Sequence, residues 1–139
     1  MRAGSSISTV IADDEALACE ELSFLLKQFP DIEVVGVAGN GVEAVDLVEE
    51  MEPDLVFLDV QMPGLDGIAT IRQIREKHPG NAPYFVLVTA FDNYAVEAFQ
   101  VEATDYLLKP VEKERLEQAI ERVRRFVADR QQAAADGPQ

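Results

Sequence analysis

Short apolar runs alternate along this chain with longer segments in which apolar residues recur at the spacing of a helix. The runs read ISTVIA (7–12), IEVVGVA (32–38), DLVFLD (54–59), YFVLVTA (84–90) and TDYLL (104–108). The central runs are almost wholly apolar, as expected of parallel strands that are buried on both faces. Together with the short connections, this alternation predicts a parallel sheet that is covered by helices on both sides.

The segments between the runs carry helical periodicity and helix-end signals. The predicted helices cover residues 15–29, a segment that opens at 40–41, and residues 68–77, 93–101 and 111–127. In the second helix, the residues predicted to face the core are Val42, Ala44, Val45 and Val48. Five strand–helix units predict an α/β fold of the flavodoxin-like (βα)5 type, a doubly wound parallel sheet with strand order 2-1-3-4-5.

The folded domain is predicted to span residues 7–127. Residues 1–6 are predicted to form a disordered N-terminus. The polar segment DRQQAAADGPQ (129–139) is rich in Ala and Gln and ends near a Gly-Pro pair, so residues 128–139 are predicted to be a linker or tail.

Charge is distributed unevenly along the chain, whose net charge is −14. Residues 1–108 contain 5 lysines and arginines against 20 aspartates and glutamates, whereas residues 109–139 contain 7 against 6. The excess of acidic residues in 1–108 argues against direct binding of nucleic acid, which needs a basic surface. No apolar run approaches the roughly 20 residues of a membrane span, and Cys19 is the only cysteine. We therefore expect a soluble, cytoplasmic protein without a disulfide framework.

Polar side chains follow four of the predicted strands at the point where each strand ends. These residues are Asp13 and Asp14, Asp59, Thr89 and Lys109. In an open parallel sheet, ligands bind beyond the carboxyl ends of the strands, where the strand order reverses. We therefore expect three carboxylates, a hydroxyl and an ammonium group to meet at one edge of the sheet.

Three neighbouring carboxylates repel one another unless a cation lies among them. Hard oxygen ligands without His or Cys favour Mg²⁺, with Mn²⁺ as a possible substitute. A phosphoryl group beside the metal could pair with Lys109 and accept a hydrogen bond from Thr89. An aspartate carboxylate can act as the nucleophile in phosphoryl transfer, and Asp59 is the best placed because it lies on the central strand. The alternative interpretation is that these are ordinary loop and capping residues.

The motifs around these residues resemble those of the receiver domain of two-component response regulators. The matching stretches are VIADDE, LDVQMPGLDG, VTA and DYLLKP. The resemblance implies that Asp59 is the phosphoacceptor and receives its phosphoryl group from a sensor histidine kinase. It also implies an Mg²⁺ site to which Asp14 binds directly, Asp13 largely through water, and Gln61 through its backbone carbonyl.

The same resemblance assigns roles to residues around the phosphoacceptor. Thr89 and Lys109 would move to contact the phosphoryl group, and Tyr106 would turn inward when Thr89 shifts. Pro63 and Gly67 would shape the loop after the phosphoacceptor. The peptide bond before Pro110 would be cis, as is usual in this family.

The stretch TAFDNYAVEAFQVEATDYLLKPVEKERLEQAIERV resembles receivers that precede a LytTR-type DNA-binding domain. That domain is absent from this chain, so transcriptional control would act through a missing output domain. We expect homodimerisation through the fourth helix, fifth strand and last helix. Four apolar residues exceed what one short helix needs for a core and are candidates for a partner surface or for core packing: Tyr94, Val96, Phe99 and Val101.

Three other functions are compatible with parts of the pattern. The chain could be a stand-alone receiver that acts by protein–protein contact. It could be a metal-dependent phosphohydrolase with an aspartyl-phosphate intermediate, although Gln61 stands where such enzymes carry a second acid and no cap domain is present. A flavin- or nucleotide-binding module would need a Gly-rich phosphate loop, which the chain lacks. We expect no activity on a separate substrate, only catalysis of the chain's own phosphorylation and dephosphorylation.

Overall fold

The computed structural model describes residues 6–135, which form a five-stranded parallel sheet flanked by helices. The strands are β1 (Ile7–Ala12), β2 (Ile32–Ala38), β3 (Leu55–Leu58), β4 (Tyr84–Thr89) and β5 (Asp105–Leu108). The helices are α1 (Ala16–Leu26), α2 (Gly41–Met51), α3 (Gly67–Lys77), α4 (Ala95–Gln100) and α5 (Lys113–Ala135). The strand order is β2-β1-β3-β4-β5, and every pair is parallel. The predicted fold class and strand order are confirmed.

The strand register aligns the residues that follow the strands. Ala12 of β1 pairs with Leu58 of β3, and the N–H of Asp59 donates to the carbonyl of Ala12 at 3.0 Å. On the other side of the sheet, the N–H of Lys109 donates to the carbonyl of Thr89 at 2.8 Å. Parallel pairing therefore brings the polar residues after β1, β3, β4 and β5 to one edge.

Apolar side chains form one cluster on each face of the sheet. Alternate residues of β3 face opposite sides: Val56 and Leu58 join the cluster under α2, α3 and α4, whereas Leu55 and Phe57 join the cluster under α1 and α5. All four side chains are almost fully buried. Each such side chain contributes about 1.5–3 kcal/mol by burial, so the central strand is held firmly from both sides.

Side-chain caps define where two helices begin. The side chain of Asn40 accepts a hydrogen bond from the N–H of Glu43, and that of Asp66 accepts one from the N–H of Ala69. These caps satisfy N–H groups that have no partner within their own helix, and each contributes about 1 kcal/mol. The Asp66 cap starts α3 directly after the loop that follows Asp59.

One residue of α2 does not face the core as predicted. Val42 is 60% exposed, and Gly41 takes the buried position instead. One helix face follows the i, i+3, i+4, i+7 pattern and carries the buried residues Gly41, Ala44, Val45 and Val48. Val42 lies about 100° around the helix from Gly41 and so falls outside this face. A side chain at Gly41 would meet the carbonyl oxygen of Leu65 at 2.3 Å, which explains why glycine occupies the core side there.

The last helix is longer than predicted. It extends to Ala135 rather than Val127, so most of the predicted linker is helical. Residues 128–135 contain no Gly or Pro and are rich in good helix formers. The guanidinium of Arg130 also lies 4.4 Å from the ring centroid of Tyr84 and donates to the carbonyl of Ala82 at 3.3 Å, which fixes this turn to the sheet.

The outer ends of both predicted terminal segments fall outside the described residues. Of the predicted disordered N-terminus only Ser6 is described, and it is exposed and precedes β1. Residues 136–139 of the predicted tail also lie outside the described range. Within residues 6–135, no helix is both long and apolar enough to cross a membrane.

Candidate functional site

Three carboxylates meet at the edge of the sheet where β1 and β3 end. Asp13, Asp14 and Asp59 each offer a carboxylate oxygen, and these atoms all lie within 4.8 Å of one another. Asp13 and Asp59 are buried, whereas Asp14 is exposed to solvent. An oxygen-only set that is open on one side suits a hard divalent cation such as Mg²⁺, which keeps several of its waters.

The ammonium group of Lys109 lies among these carboxylates. Its Nζ atom is 2.8 Å from Oδ2 of Asp13, 2.8 Å from Oδ2 of Asp59 and 3.5 Å from Oε1 of Glu15. Burial alone would lower the pKa of Lys109, but hydrogen bonds to Asp13 and Asp59 outweigh burial and raise that pKa above its ordinary value. Lys109 therefore carries a positive charge at neutral pH.

Burial has the opposite effect on the pKa of the neighbouring carboxyl group, that of Asp13. It raises the pKa of Asp13 above its ordinary value, although Lys109 and the N–H of Glu15 donate hydrogen bonds that oppose the shift. The negative charge of Asp59 raises the pKa of Asp13 further. The single positive charge of Lys109 does not balance the three carboxylates at this edge. An added cation would relieve the repulsion among them.

The loop after β3 is closely packed beneath the carboxylates. The N–H of Gln61 donates to Oδ1 of Asp59 at 3.1 Å, which orients that carboxylate. A Cβ atom at Gly67 would lie 2.2 Å from the carbonyl oxygen of Asp59, so only glycine fits where α3 begins. Pro63 lies in the same loop, and the Lys109–Pro110 peptide bond on the opposite side of the site is cis.

The loop between β4 and α4 is fastened by two hydroxyl groups. Oγ1 of the fully buried Thr89 accepts a hydrogen bond from the N–H of Phe91 at 3.4 Å. The half-buried Tyr106 donates its hydroxyl to the carbonyl of Phe91 and accepts from the N–H of Tyr94 at 3.2 Å. Both residues proposed as switches from the sequence therefore hold this loop, and neither has a described hydrogen bond to the carboxylates.

Two side-chain contacts had no sequence signal. The side-chain amide Nε2 of Gln61 donates to the hydroxyl of Tyr94 at 3.0 Å, across 33 residues of sequence. The buried carboxylate of Asp105 pairs with Arg115 at 2.6 Å and with Arg122 at 3.1 Å, both from α5. The seven-residue spacing of these arginines places them on one helix face, but only the structure shows which carboxylate they contact.

The apolar residues singled out around α4 divide between surface and core. Val96 is 66% and Phe99 is 83% exposed, whereas Val101 is buried and Tyr94 is half-buried against the core. Leu108 of β5 is also exposed. The α4–β5 side of the sheet therefore presents apolar side chains to solvent.

Comparison with known proteins gives one family. A model of the response regulator receiver domain matches residues 9–121. Transcriptional regulatory protein BtsR of Salmonella typhi is 47% identical over 118 residues, which are 85% of this chain and 48% of that protein. Sensory transduction protein LytT of Oceanobacillus iheyensis is 41% identical over 122 residues, or 88% of this chain and 50% of that protein. This chain thus spans about half the length of the curated relatives it matches.

Solved structures agree with this comparison. The response regulatory domain of mrkE from Klebsiella pneumoniae has a TM-score of 0.81 and 32% sequence identity, and the match covers 88% of this chain and 99% of that one. The receiver domain of AraT from Geobacillus stearothermophilus has a TM-score of 0.80 and 33% identity, over 90% and 98% of the two chains. Each match covers nearly the whole of the solved domain.

Proposed function

This chain belongs to the response regulator receiver domain family, and from that premise we propose that it is the phosphoacceptor switch of a two-component system. In this proposal Asp59 receives a phosphoryl group from the phosphohistidine of a sensor histidine kinase. The observation that carries the proposal is the position of the Lys109 ammonium, 2.8 Å from carboxylate oxygens of both Asp59 and Asp13. A cation fixed beside the nucleophile neutralises charge on an arriving phosphoryl group.

The transfer reaction requires an accessible carboxylate and a way to neutralise charge. An oxygen of Asp59 forms a bond to phosphorus while the bond from phosphorus to the histidine nitrogen breaks, and the electron pair of that bond returns to the imidazole. The Gln61 N–H holds the Oδ1 atom of Asp59 at 3.1 Å. Lys109, now bound to Oδ2, would pair with a phosphoryl oxygen after transfer, and the Thr89 hydroxyl would move to donate to another.

The three carboxylates fit an Mg²⁺ ion, with Mn²⁺ as a substitute. The exposed Asp14 would bind it directly, the buried Asp13 largely through water, and Gln61 through its backbone carbonyl. When bound, the ion supplies positive charge next to the phosphoryl oxygens. The Lys109 ammonium contacts Asp13 and Asp59 as well, so it would compete with the ion for these two carboxylates.

Phosphorylation would reach an output through the loop that Thr89 and Tyr106 hold. A shift of Thr89 toward the phosphoryl group would release the Phe91 N–H, and Tyr106 would then leave the loop and turn inward. We propose that these changes favour a homodimer through the α4–β5–α5 face, where Val96 and Phe99 are exposed. The output would be transcription, through a LytTR-type DNA-binding domain outside this chain.

The remaining parts of the proposal concern where and on what the chain acts. It would act in the cytoplasm, would catalyse only its own phosphorylation and dephosphorylation, and would not bind nucleic acid itself because its net charge is −14.

A stand-alone receiver that works by protein–protein contact is the nearest alternative. A phosphohydrolase is a more distant one, and repeated turnover of p-nitrophenyl phosphate by the purified chain would favour it.

Intact-mass analysis after incubation with phosphoramidate and Mg²⁺ tests the proposal. Wild type should gain one phosphoryl group, chelation of the metal by EDTA should suppress the gain, and Asp59→Asn should not gain it. Asp46→Asn, which changes an exposed carboxylate on α2, is the matched control and should be phosphorylated like wild type. Equal phosphorylation of Asp59→Asn and wild type would contradict the proposal.

A further inference from the structure

A cavity of about 790 Å³ lies at the edge of the sheet opposite the three carboxylates. Residues at the start of β4, just before β5 and at the C-terminal ends of α3 and α4 line it, together with one side of α5. Its wall contains Arg75, Arg122 and Arg130, and Glu102 is the one acidic residue among the lining residues that the structure describes. The chain has only 12 lysines and arginines and a net charge of −14, so a cavity lined by three arginines is locally of opposite charge to the whole.

Backbone carbonyl groups hold two of these arginines in place. Arg75 donates from Nε to the carbonyl of Val101 and from Nη2 to that of Glu102, both at 3.0 Å. Arg130 donates from Nη2 to the carbonyl of Ala82 at 3.3 Å. Within residues 6–135, neither guanidinium forms an ion pair with a carboxylate. A carbonyl orients a guanidinium without cancelling its charge, so both positive charges remain available to an anion.

The third arginine differs from these two. Arg122 pairs with the carboxylate of Asp105 at 3.1 Å, which offsets its charge. Burial lowers the pKa of Arg75, and the charge of Glu102 opposes that shift without reversing it. An anion beside Arg75 would therefore stabilise the charged guanidinium.

Aromatic rings supply the apolar part of the same wall. The side chain of Phe99 is 83% exposed and that of Phe126 is 45% exposed, and both line the cavity. The ring of Tyr84 stacks on Phe126 with centroids 5.7 Å apart, and its hydroxyl donates to the Phe126 carbonyl at 3.0 Å. A flat apolar group can pack on such fixed, accessible rings.

One further lining residue has an unpaired polar atom. Nε2 of His78, at the end of α3, is buried and has no hydrogen-bond partner in the part of the chain that the structure describes. A buried nitrogen of this kind gains free energy when a polar atom of a ligand or of water comes within hydrogen-bond distance.

We propose that this cavity binds a small organic anion with a flat apolar body. Its charged group would pair with the guanidinium groups of Arg75 and Arg130, and its apolar body would pack on Phe99 and Phe126. The volume falls within the roughly 300–1,000 Å³ of small-molecule sites. Because the cavity lies at the opposite edge of the sheet from Asp59, binding does not require phosphorylation.

Titration with 2-naphthoate, followed in a ¹H–¹⁵N spectrum, tests the proposal. The backbone amide signals of Gln100 and Thr104, two lining residues, should shift with a dissociation constant of about 1 mM, as expected for a ligand of this size. The neutral analogue 2-naphthamide has the same rings without the charge, and it should bind about tenfold more weakly.

Variants of the arginines identify the charge partner. Arg130→Met and Arg75→Met should each weaken binding of 2-naphthoate about three- to tenfold, the range expected for loss of one charged contact. Arg125→Met is the matched control, since it removes an exposed arginine of α5 that does not line the cavity, and it should bind like wild type. The positions of signals far from the cavity show whether each variant keeps the fold.

Three results would overturn the proposal. The first is no shift of the Gln100 and Thr104 signals at ten times the expected dissociation constant, even if signals elsewhere, such as that of Phe24 on α1, respond. The second is equal binding of 2-naphthoate and 2-naphthamide. The third is equal weakening by Arg125→Met and Arg130→Met, which would indicate attraction to net charge and not to the cavity. None of these results bears on phosphorylation of Asp59, so the proposed function would stand.

Discussion

The ammonium nitrogen of Lys109 lies 2.8 Å from Oδ2 of Asp59, although fifty residues separate the two in sequence. The same nitrogen contacts Asp13, which lies 96 residues away. Parallel pairing of β1 with β3, of β3 with β4 and of β4 with β5 brings these groups together, and the loops after the strands complete the contact. The site is thus a consequence of the sheet register. Substitutions in the site and substitutions in the fold that supports it can be tested separately.

Replacement of Lys109 by methionine should affect metal binding and phosphorylation in opposite directions. Removal of a cation that competes for the same carboxylates should tighten Mg²⁺ binding about tenfold, as expected for a neighbouring charge that contributes about 1.4 kcal/mol. Phosphorylation should slow by about 10²-fold, because the phosphoryl group loses a charge partner. Calorimetric titration and intact mass measure the two effects. Lys113→Met, on the exposed start of α5, should change neither.

Substitution of Gly67 by alanine should destabilise the fold. The added Cβ would lie 2.2 Å from the carbonyl oxygen of Asp59, so the loop or α3 must move. We expect a loss of about 1–3 kcal/mol in the free energy of unfolding, measured by urea titration. Gly39→Ala is the control, since its Cβ would meet only the Glu43 carboxylate at 3.5 Å. A Gly67→Ala variant as stable as wild type would show that the loop packs differently in solution.

The ion pair between Asp31 and Arg124 should make stability depend on pH in the acid range. Two hydrogen bonds from Arg124, at 2.8 and 2.9 Å, hold the pKa of Asp31 below its ordinary value. Because the folded pKa is lowered, the pair contributes fully above the unfolded value of about 3.9, and the contribution is lost as pH falls through the folded value.

Asp31→Asn should therefore cost up to about 1 kcal/mol at pH 7, the upper end for a partly exposed pair. The difference from wild type should shrink as the pH falls below about 4. Urea titration at several pH values measures it. Glu49→Gln removes the partner of Lys77 in an exposed pair at 3.7 Å and should have almost no effect at any pH. A pH-independent cost of Asp31→Asn would contradict the assignment.

Introduction of a charge at Phe99 should weaken self-association. Phe99 is 83% exposed on α4, so Phe99→Asp should leave the free energy of unfolding within about 0.5 kcal/mol of wild type. If the α4–β5–α5 face forms the dimer, sedimentation velocity of the phosphorylated chain should show the variant shifted toward monomer. Phe24→Asp, at a 67% exposed position on α1, should dimerise like wild type. Equal dimerisation of both variants would place the interface elsewhere.

Those parts of the molecule that follow from periodicity and strand register could be predicted from the sequence. The sequence predicts that Asp13, Asp59 and Lys109 meet at one edge, because each follows a strand of a parallel sheet. Contacts that depend on side-chain direction could not be predicted in this way. The Gln61–Tyr94 hydrogen bond joins two loops whose relative position is set only by the packed fold.

The errors in the sequence interpretation have local physical causes. Val42 looked like a core residue because it is apolar, but the core position belongs to Gly41, where no side chain fits. The last helix was predicted to end at Val127 because the residues that follow are polar, yet those residues are rich in Ala and Gln and favour a helix, so α5 continues to Ala135. The stacking of Arg130 on Tyr84 then holds that end against the sheet.

Localisation of the phosphoryl group tests the central claim most directly. After phosphorylation with phosphoramidate and Mg²⁺, reduction with borohydride converts an aspartyl phosphate into homoserine, and peptide mass spectrometry locates the change. The residue modified should be Asp59, with no modification in the Asp59→Asn variant. Modification at another residue, or none in wild type, would contradict the assignment of Asp59 as phosphoacceptor.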